Sequence, residues 1–76
     1  MEKIIGEVER SETEKILIQV KEFKGRTYVD FRIHYLADED EWRPTQKGIT
    51  VAPVLWEDFK KHVDEANKFL GEEGLI

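Results

Sequence analysis

The chain has 76 residues, a formal charge of −5 and no cysteine. That length holds one domain, residues 1–76, with a core so small that oligomerisation is a common way to complete it. A disulfide framework and a thiolate metal site are excluded, no apolar run reaches the roughly 20 residues of a membrane helix, and no signal-peptide pattern is present, so a soluble intracellular protein of cytoplasm or nucleoid is expected.

The first predicted strand is Lys3 to Glu9, carried by Ile4, Ile5 and Val8. Ser11 to Glu14 is polar and reads as a turn. Lys15 to Phe23 alternates strictly. Ile16, Ile18 and Val20 fall on one face; Leu17, Gln19, Lys21 and Phe23 fall on the other. Gly25 then marks Phe23-Lys24-Gly25-Arg26 as a tight hairpin. Thr27 to Leu36 is a third strand, with Val29, Phe31 and Ile33 apolar and Tyr28, Asp30, Arg32 and His34 polar. The four acids Asp38 to Glu41 repel one another in a packed strand and suit a solvated hairpin tip. Trp42 to Val51 is a fourth strand. Pro44 removes a ladder donor and places it at an edge, and Gly48 suits a bulge.

The remainder reads as one helix. Pro53 fits its first position, Trp56, Phe59, Val63, Ala66 and Leu70 recur at helical spacing, and Gly71 is the expected stop. Leu55 and Phe69 widen the stripe. Most of it is expected to cover the sheet, with enough left over for a dimer interface. The fold class is α+β, a four-stranded curved antiparallel sheet followed by one C-terminal helix (ββββα), dimeric.

Charge is segregated along the chain. Residues 1–14 carry net −3, residues 15–47 net +1 and residues 48–76 net −3. Four of the six acids in the middle segment are the consecutive Asp38–Glu41, so the rest of that segment is strongly basic. Rings and cations alternating on a sheet can stack bases and hold phosphates together, the usual chemistry of single-strand binding. The same residues also have an ordinary reading, because strand aromatics are usually core and scattered Lys and Arg are usually solvated. Arg32 shares a strand face with Asp30 and can pair with it. The hairpin cations Lys24 and Arg26 are the better phosphate ligands, because a turn projects them freely.

His34 and His62 lie on different elements without a partner at ligand spacing, so they read as surface histidines and no metal site is expected. The acidic run lacks the glycine and terminal Glu of a calcium loop. No cofactor motif, Gly-rich phosphate loop or nucleophile–base pair is present, and Asp30 stands alone on its strand, so the chain reads as a binding protein and not an enzyme.

Phe-Lys-Gly-Arg (23–26), Tyr-Val-Asp-Phe-Arg (28–32), Arg-Pro-Thr-Gln-Lys-Gly-Ile (43–49) and Trp56 early in a closing helix together resemble the C-terminal domain of the transcriptional coactivator positive cofactor four, in the form of a short prokaryotic-type member. The likeness runs from residue 15 to 70 without an obvious gap. No single motif is diagnostic; the order and spacing of all of them is specific. The resemblance implies a homodimer that binds single-stranded DNA with little sequence preference, in transcription regulation or DNA maintenance, with a transcription-machinery partner in view.

It also implies the binding residues Phe23, Arg26, Arg32, Tyr35, Arg43 and Lys47; Lys21 and Lys24, read as phosphate ligands from the charge pattern, complete the expected nucleic-acid site, and no catalytic or metal residue is expected. Phe23 and Tyr35 would stack bases; Tyr35 stands where the coactivator usually has Trp. Gln46 stands at an often basic position, and Trp42 where a smaller apolar residue is expected, which makes Trp42 an extra stacking surface. Strict alternation puts Tyr35 on the core face, so either the strand kinks near its end or Tyr35 is buried. No group is aimed at a 2′-hydroxyl, so DNA and RNA are not separated. The alternative is a protein-interaction module using the helix and a sheet edge, with the cations merely solubilising and no nucleic-acid affinity.

Overall fold

The computed structural model describes residues 1–76. Four strands, β1 (Lys3–Glu9), β2 (Glu14–Phe23), β3 (Arg26–Leu36) and β4 (Trp42–Val51), form an antiparallel meander in the order β1-β2-β3-β4, and helix α1 (Pro53–Glu72) follows. The expected strand bounds hold to within one residue. The β2–β3 hairpin closes on the Phe23–Arg26 pair, with Lys24 at φ 53° and Gly25 at φ 76°. Positive φ at both central residues is the turn whose twist matches paired strands. The acidic loop is an exposed tip, with Glu39 and Asp40 also in the left-handed region.

β4 is an edge strand, as Pro44 requires, and it carries the bulge. His34 pairs with Pro44 and Arg32 with Gly48, so Thr45, Gln46 and Lys47 stand opposite Ile33 alone. Side chains replace the lost ladder bonds. The Thr45 hydroxyl donates to the Ile33 carbonyl at 2.8 Å, and the Lys47 N–H donates to that hydroxyl at 3.1 Å. Gly48 is needed where the ladder resumes, because a Cβ there would lie 2.5 Å from the Phe31 carbonyl oxygen.

The register fixes two faces. Ile16, Ile18 and Val20 of β2, Val29, Phe31 and Ile33 of β3, and Ile49 and Val51 of β4 share the apolar face. Lys15, Leu17, Gln19, Lys21 and Phe23 share the opposite one with Arg26, Tyr28, Asp30, Arg32 and His34. Helix α1 lies on the apolar face, where Phe31, Trp56 and Phe59 form a cluster with ring centroids 5.5–6.2 Å apart. Such aromatic contacts add about 0.5–1.5 kcal/mol each beyond the area they bury.

The helix departs from expectation in two ways. First, it covers little of the sheet. Trp56 and Phe59 pack, whereas Leu55, Val63 and Phe69 are exposed and no helical residue is fully buried. The stripe is long, but α1 contacts only β3 and β4, so its distal turns run past the sheet they were expected to cover. Secondly, Gly71 lies inside the last turn and Gly74 ends the helix. Gly74 adopts φ 70°, its N–H donates to the Gly71 carbonyl at 3.1 Å, and the Leu75 N–H donates to the Leu70 carbonyl at 2.9 Å. That pair of bonds is the Schellman arrangement, which needs the left-handed residue after the cap. The chain has a glycine at both places; the one that satisfies two orphan carbonyls sets the end.

Candidate nucleic-acid interface

The polar face has no layer over it, yet it contains three of the four buried residues: Leu17, Asp30 and His34. Asp30 is 3% exposed and is balanced locally. The Arg32 guanidinium donates to Asp30 Oδ1 through Nε at 3.2 Å and Nη2 at 3.1 Å, and its Nη1 donates to the Thr45 carbonyl at 3.0 Å. Both groups are thereby satisfied, and Arg32 ties the centre of β3 to the β4 bulge. The pairing with Asp30 is the ordinary reading of Arg32, whose side chain stays about a quarter exposed.

His34 is 8% exposed rather than on the surface as expected, and its Nε2 is buried without a partner. Burial lowers its pKa from the usual value, Lys15 beside it lowers it further, and Asp30 partly opposes them. A neutral imidazole is thus favoured at this position. The sequence signal existed in part: His34 alternates with Arg32 and Asp30, but burial depends on side chains that reach over it from β2 and β4. His62, by contrast, is exposed on α1 beside Glu65.

The hairpin end of the polar face gathers four of the expected residues. Phe23 is 62% exposed, and Lys21, Lys24 and Arg26 are exposed without an ion-pair partner. The Lys24 ammonium sits 5.3 Å from the centroid of the Phe23 ring. Lys24 keeps this place in a left-handed backbone conformation that costs a non-glycine residue about 1 kcal/mol or more. Beside this end lies a hollow of about 680 Å³ whose lining mixes the cations Lys21 and Arg32 with the acids Glu2, Glu22 and Asp30, together with Phe23, Tyr28 and Thr50. Tyr28 was read only as a polar-face residue; its place in the hollow follows from standing opposite Lys21.

The other expected residues are elsewhere. Tyr35 pairs with Glu14 and Arg43 at the far end of β3, on the apolar side. It is 40% exposed, so neither a kink nor burial occurs: the helix simply does not reach that end. Arg43 donates from Nε to Glu41 Oε1 at 3.2 Å. Lys47 is exposed on the bulge, at the edge of a shallow apolar hollow with Ile16, Ile33 and Ile49. From the Phe23–Arg26 row to the Tyr35 row is nine residues of β3, about 30 Å at 3.3 Å per residue.

Comparison with known proteins places this arrangement. Residues 10–62 match the family described as Transcriptional Coactivator p15 (PC4), and the chain belongs to that family. It is 37% identical over 51 residues to the RNA polymerase II transcriptional coactivator KELP of Arabidopsis thaliana, which covers 67% of this chain and 30% of that protein. It is 34% identical over 50 residues to a putative RNA polymerase II transcriptional coactivator of Caenorhabditis elegans, covering 64% of this chain and 40% of that one. The chain thus spans less than half the length of these relatives. Among solved structures it resembles a PC4 homologue of Burkholderia pseudomallei, with a TM-score of 0.78 and 31% identity over 86% of this chain and 88% of that one. It also resembles the bacteriophage T5 homologue of the eukaryotic coactivator PC4 implicated in recombination-dependent DNA replication, with a TM-score of 0.68 and 27% identity over 97% and 82% of the two chains. The resemblance to a short prokaryotic-type member is borne out, as is the four-strand-plus-helix fold. No helix is long and apolar enough to cross a membrane.

Proposed function

We propose that this member of the coactivator family is a sequence-tolerant single-stranded DNA-binding protein that acts as a homodimer in transcription regulation or DNA maintenance. The observation that carries the reading is the hairpin end, where the exposed Phe23 ring stands among the unpaired cations Lys21, Lys24 and Arg26. A flat ring beside free ammonium and guanidinium groups binds base and phosphate at once and reads neither base identity nor sequence. The overall charge of −5 opposes this only at long range, and the Debye length near 8 Å at physiological salt lets the local cations prevail.

The surfaces that the subunit leaves open support the dimer. Ile4, Ile5 and Val8 of β1, Ile49 of β4 and Val63 and Phe69 of α1 are all more than half exposed. A 76-residue domain has little other means to bury them. Phe23 and Tyr35 also lie on opposite faces at opposite ends of the sheet, so one subunit does not offer both rings to one short strand. The transcription machinery is the partner class that the family suggests. The interaction-module alternative draws on the same apolar surfaces and treats the hairpin cations as merely solubilising, which gives no reason for their gathering around an exposed ring.

Fluorescence anisotropy with a labelled twenty-nucleotide strand and its duplex, across a salt series, tests this. Single-strand binding well above duplex binding is expected, with a log–log salt slope near about −3 for four or five neutralised phosphates. Phe23→Ala should weaken binding about five- to hundredfold. An absence of single-strand binding at low salt refutes the reading, and sedimentation of the free protein as a monomer refutes the dimer.

A further inference from the structure

Trp42 and Lys15 belong to β4 and β2, with β3 between them. Adjacent strands lie about 4.8 Å apart, so the two backbones are roughly 10 Å from each other. Even so, the Lys15 ammonium is 4.4 Å from the centroid of the Trp42 ring. The two side chains therefore meet above β3, over the stretch from His34, which pairs with Lys15 on one side and Pro44 on the other, to Leu36, which pairs with Trp42. This accounts for the burial of His34 on a face that has no covering layer. Lys15 is held from the other side by its ion pair with Glu7. The indole is thus laid across the sheet, partly exposed, with Lys15 fixed against it.

The arrangement repeats that at the other end of the same face, where Lys24 stands over Phe23. From the Phe23–Arg26 row to the Leu36–Trp42 row is ten residues of β3, about 33 Å. Lys21 and Arg32 lie between. The acidic tip Asp38–Glu41 begins just beyond Trp42 and repels phosphate, so a strand that follows this face stops there. Tyr35 lies on the other face.

We propose that Trp42 is the second base-stacking ring of the polar face, and that Phe23 and Trp42 mark the two ends of one path for a single strand. This rests on the single-strand reading above. The inner side of the indole covers His34, and its outer side takes the last base. Trp56 is packed between Phe31 and Phe59 under the helix, so a binding-induced change in tryptophan emission reports on Trp42.

The test is a titration of the full chain with dT20, read by anisotropy and by tryptophan emission, for wild type, Phe23→Ala, Trp42→Phe and Trp42→Leu. Leucine keeps an apolar cover over His34 but has no ring. Wild type should bind with quenched emission. Trp42→Phe should keep the affinity within about threefold and lose the quench, and Trp42→Leu should weaken binding about five- to hundredfold. Circular dichroism confirms that each variant is folded. If Trp42→Leu binds like wild type while Phe23→Ala is weakened, Trp42 is only a cover and the proposal is overturned with the single-strand function intact. If wild type does not bind dT20 at low salt, both fail.

Discussion

The two faces of this sheet solve the burial problem in opposite ways. The polar face has no layer upon it, yet it buries Leu17, Asp30 and His34, because long neighbours such as Arg32, Lys15 and Trp42 lie down over them and pair off. The apolar face has a helix upon it and still leaves Ile49 more than half exposed. The first face packs its own centre within one subunit and keeps its free charges at its hairpin end, though Ile4 at its β1 margin stays exposed. The second leaves apolar side chains open to solvent, which supports the proposed second copy. On the proposed function, binding and assembly fall mainly on different sides of one thin sheet, and a variant should damage one without the other.

The sharpest break on the apolar side is Phe31→Ala. Phe31 stacks on Trp56 with centroids 6.2 Å apart and lies tilted against Phe59 at 5.5 Å, and it is the ring of the sheet that the helix clasps. Its removal should cost about 3 kcal/mol of stability. Urea denaturation at fixed protein concentration measures this, since a dimer's stability depends on concentration. A loss below about 1 kcal/mol would mean that this cluster does little to hold the helix on the sheet. Next comes Gly48→Ala, which acts on both faces. The added Cβ meets backbone, not a flexible tip: Phe31 O at 2.5 Å and Arg32 Cα at 2.9 Å. β4 must move away, at about 1–3 kcal/mol. Single-strand affinity should fall too, because Arg32 is tied to the bulge through the Thr45 carbonyl. An unchanged denaturation midpoint would show that the bulge is soft.

The hairpin gives a smaller effect of opposite sign. Lys24 holds φ 53°, where glycine has no steric penalty. Lys24→Gly should therefore stabilise the protein by up to about 1 kcal/mol while weakening single-strand binding and making the salt slope shallower by about 0.7. Gain in one property with loss in the other separates a residue kept for binding from one kept for folding. A variant both less stable and equally tight would reverse that assignment.

Local rules made most of the fold legible. Alternation of Ile16, Ile18 and Val20 against Leu17, Gln19 and Lys21 set the faces of β2, and Lys24-Gly25 set the turn. Pro44 and Gly48 announced an edge strand with a bulge. What escaped needed distances that sequence does not carry. Gly71 and Gly74 are equal as glycines, and only the Leu75-to-Leu70 bond decides between them. Trp42 and Lys15 are 27 residues apart in the chain and meet over β3. Of the expected site, Lys21, Phe23, Lys24 and Arg26 were legible as a cluster because a hairpin brings near sequence neighbours together. Tyr35, Arg43 and Lys47 were grouped with them by resemblance, and one subunit does not bring them to the same place.

The faintest expected effect lies under the Trp42–Lys15 pair. The pKa of His34 is displaced downwards, first by burial and then by Lys15, with Asp30 opposing and Lys21 and Arg32 adding to the lowering. In the unfolded chain the same imidazole titrates near its ordinary value of 6.5. Between its depressed folded pKa and 6.5 the unfolded state binds more protons than the folded one, and stability rises with pH across that window. The contribution is complete above 6.5 and is lost as pH falls through the folded pKa. His34→Gln should therefore flatten the pH dependence of the denaturation midpoint over that range, and equal slopes for the two proteins would refute it. Trp42→Leu should retain the slope and Trp42→Ala should reduce it, because only the alanine variant uncovers the ring. That difference ties the pH response to the side chain laid across the sheet and not to the strand that carries the histidine.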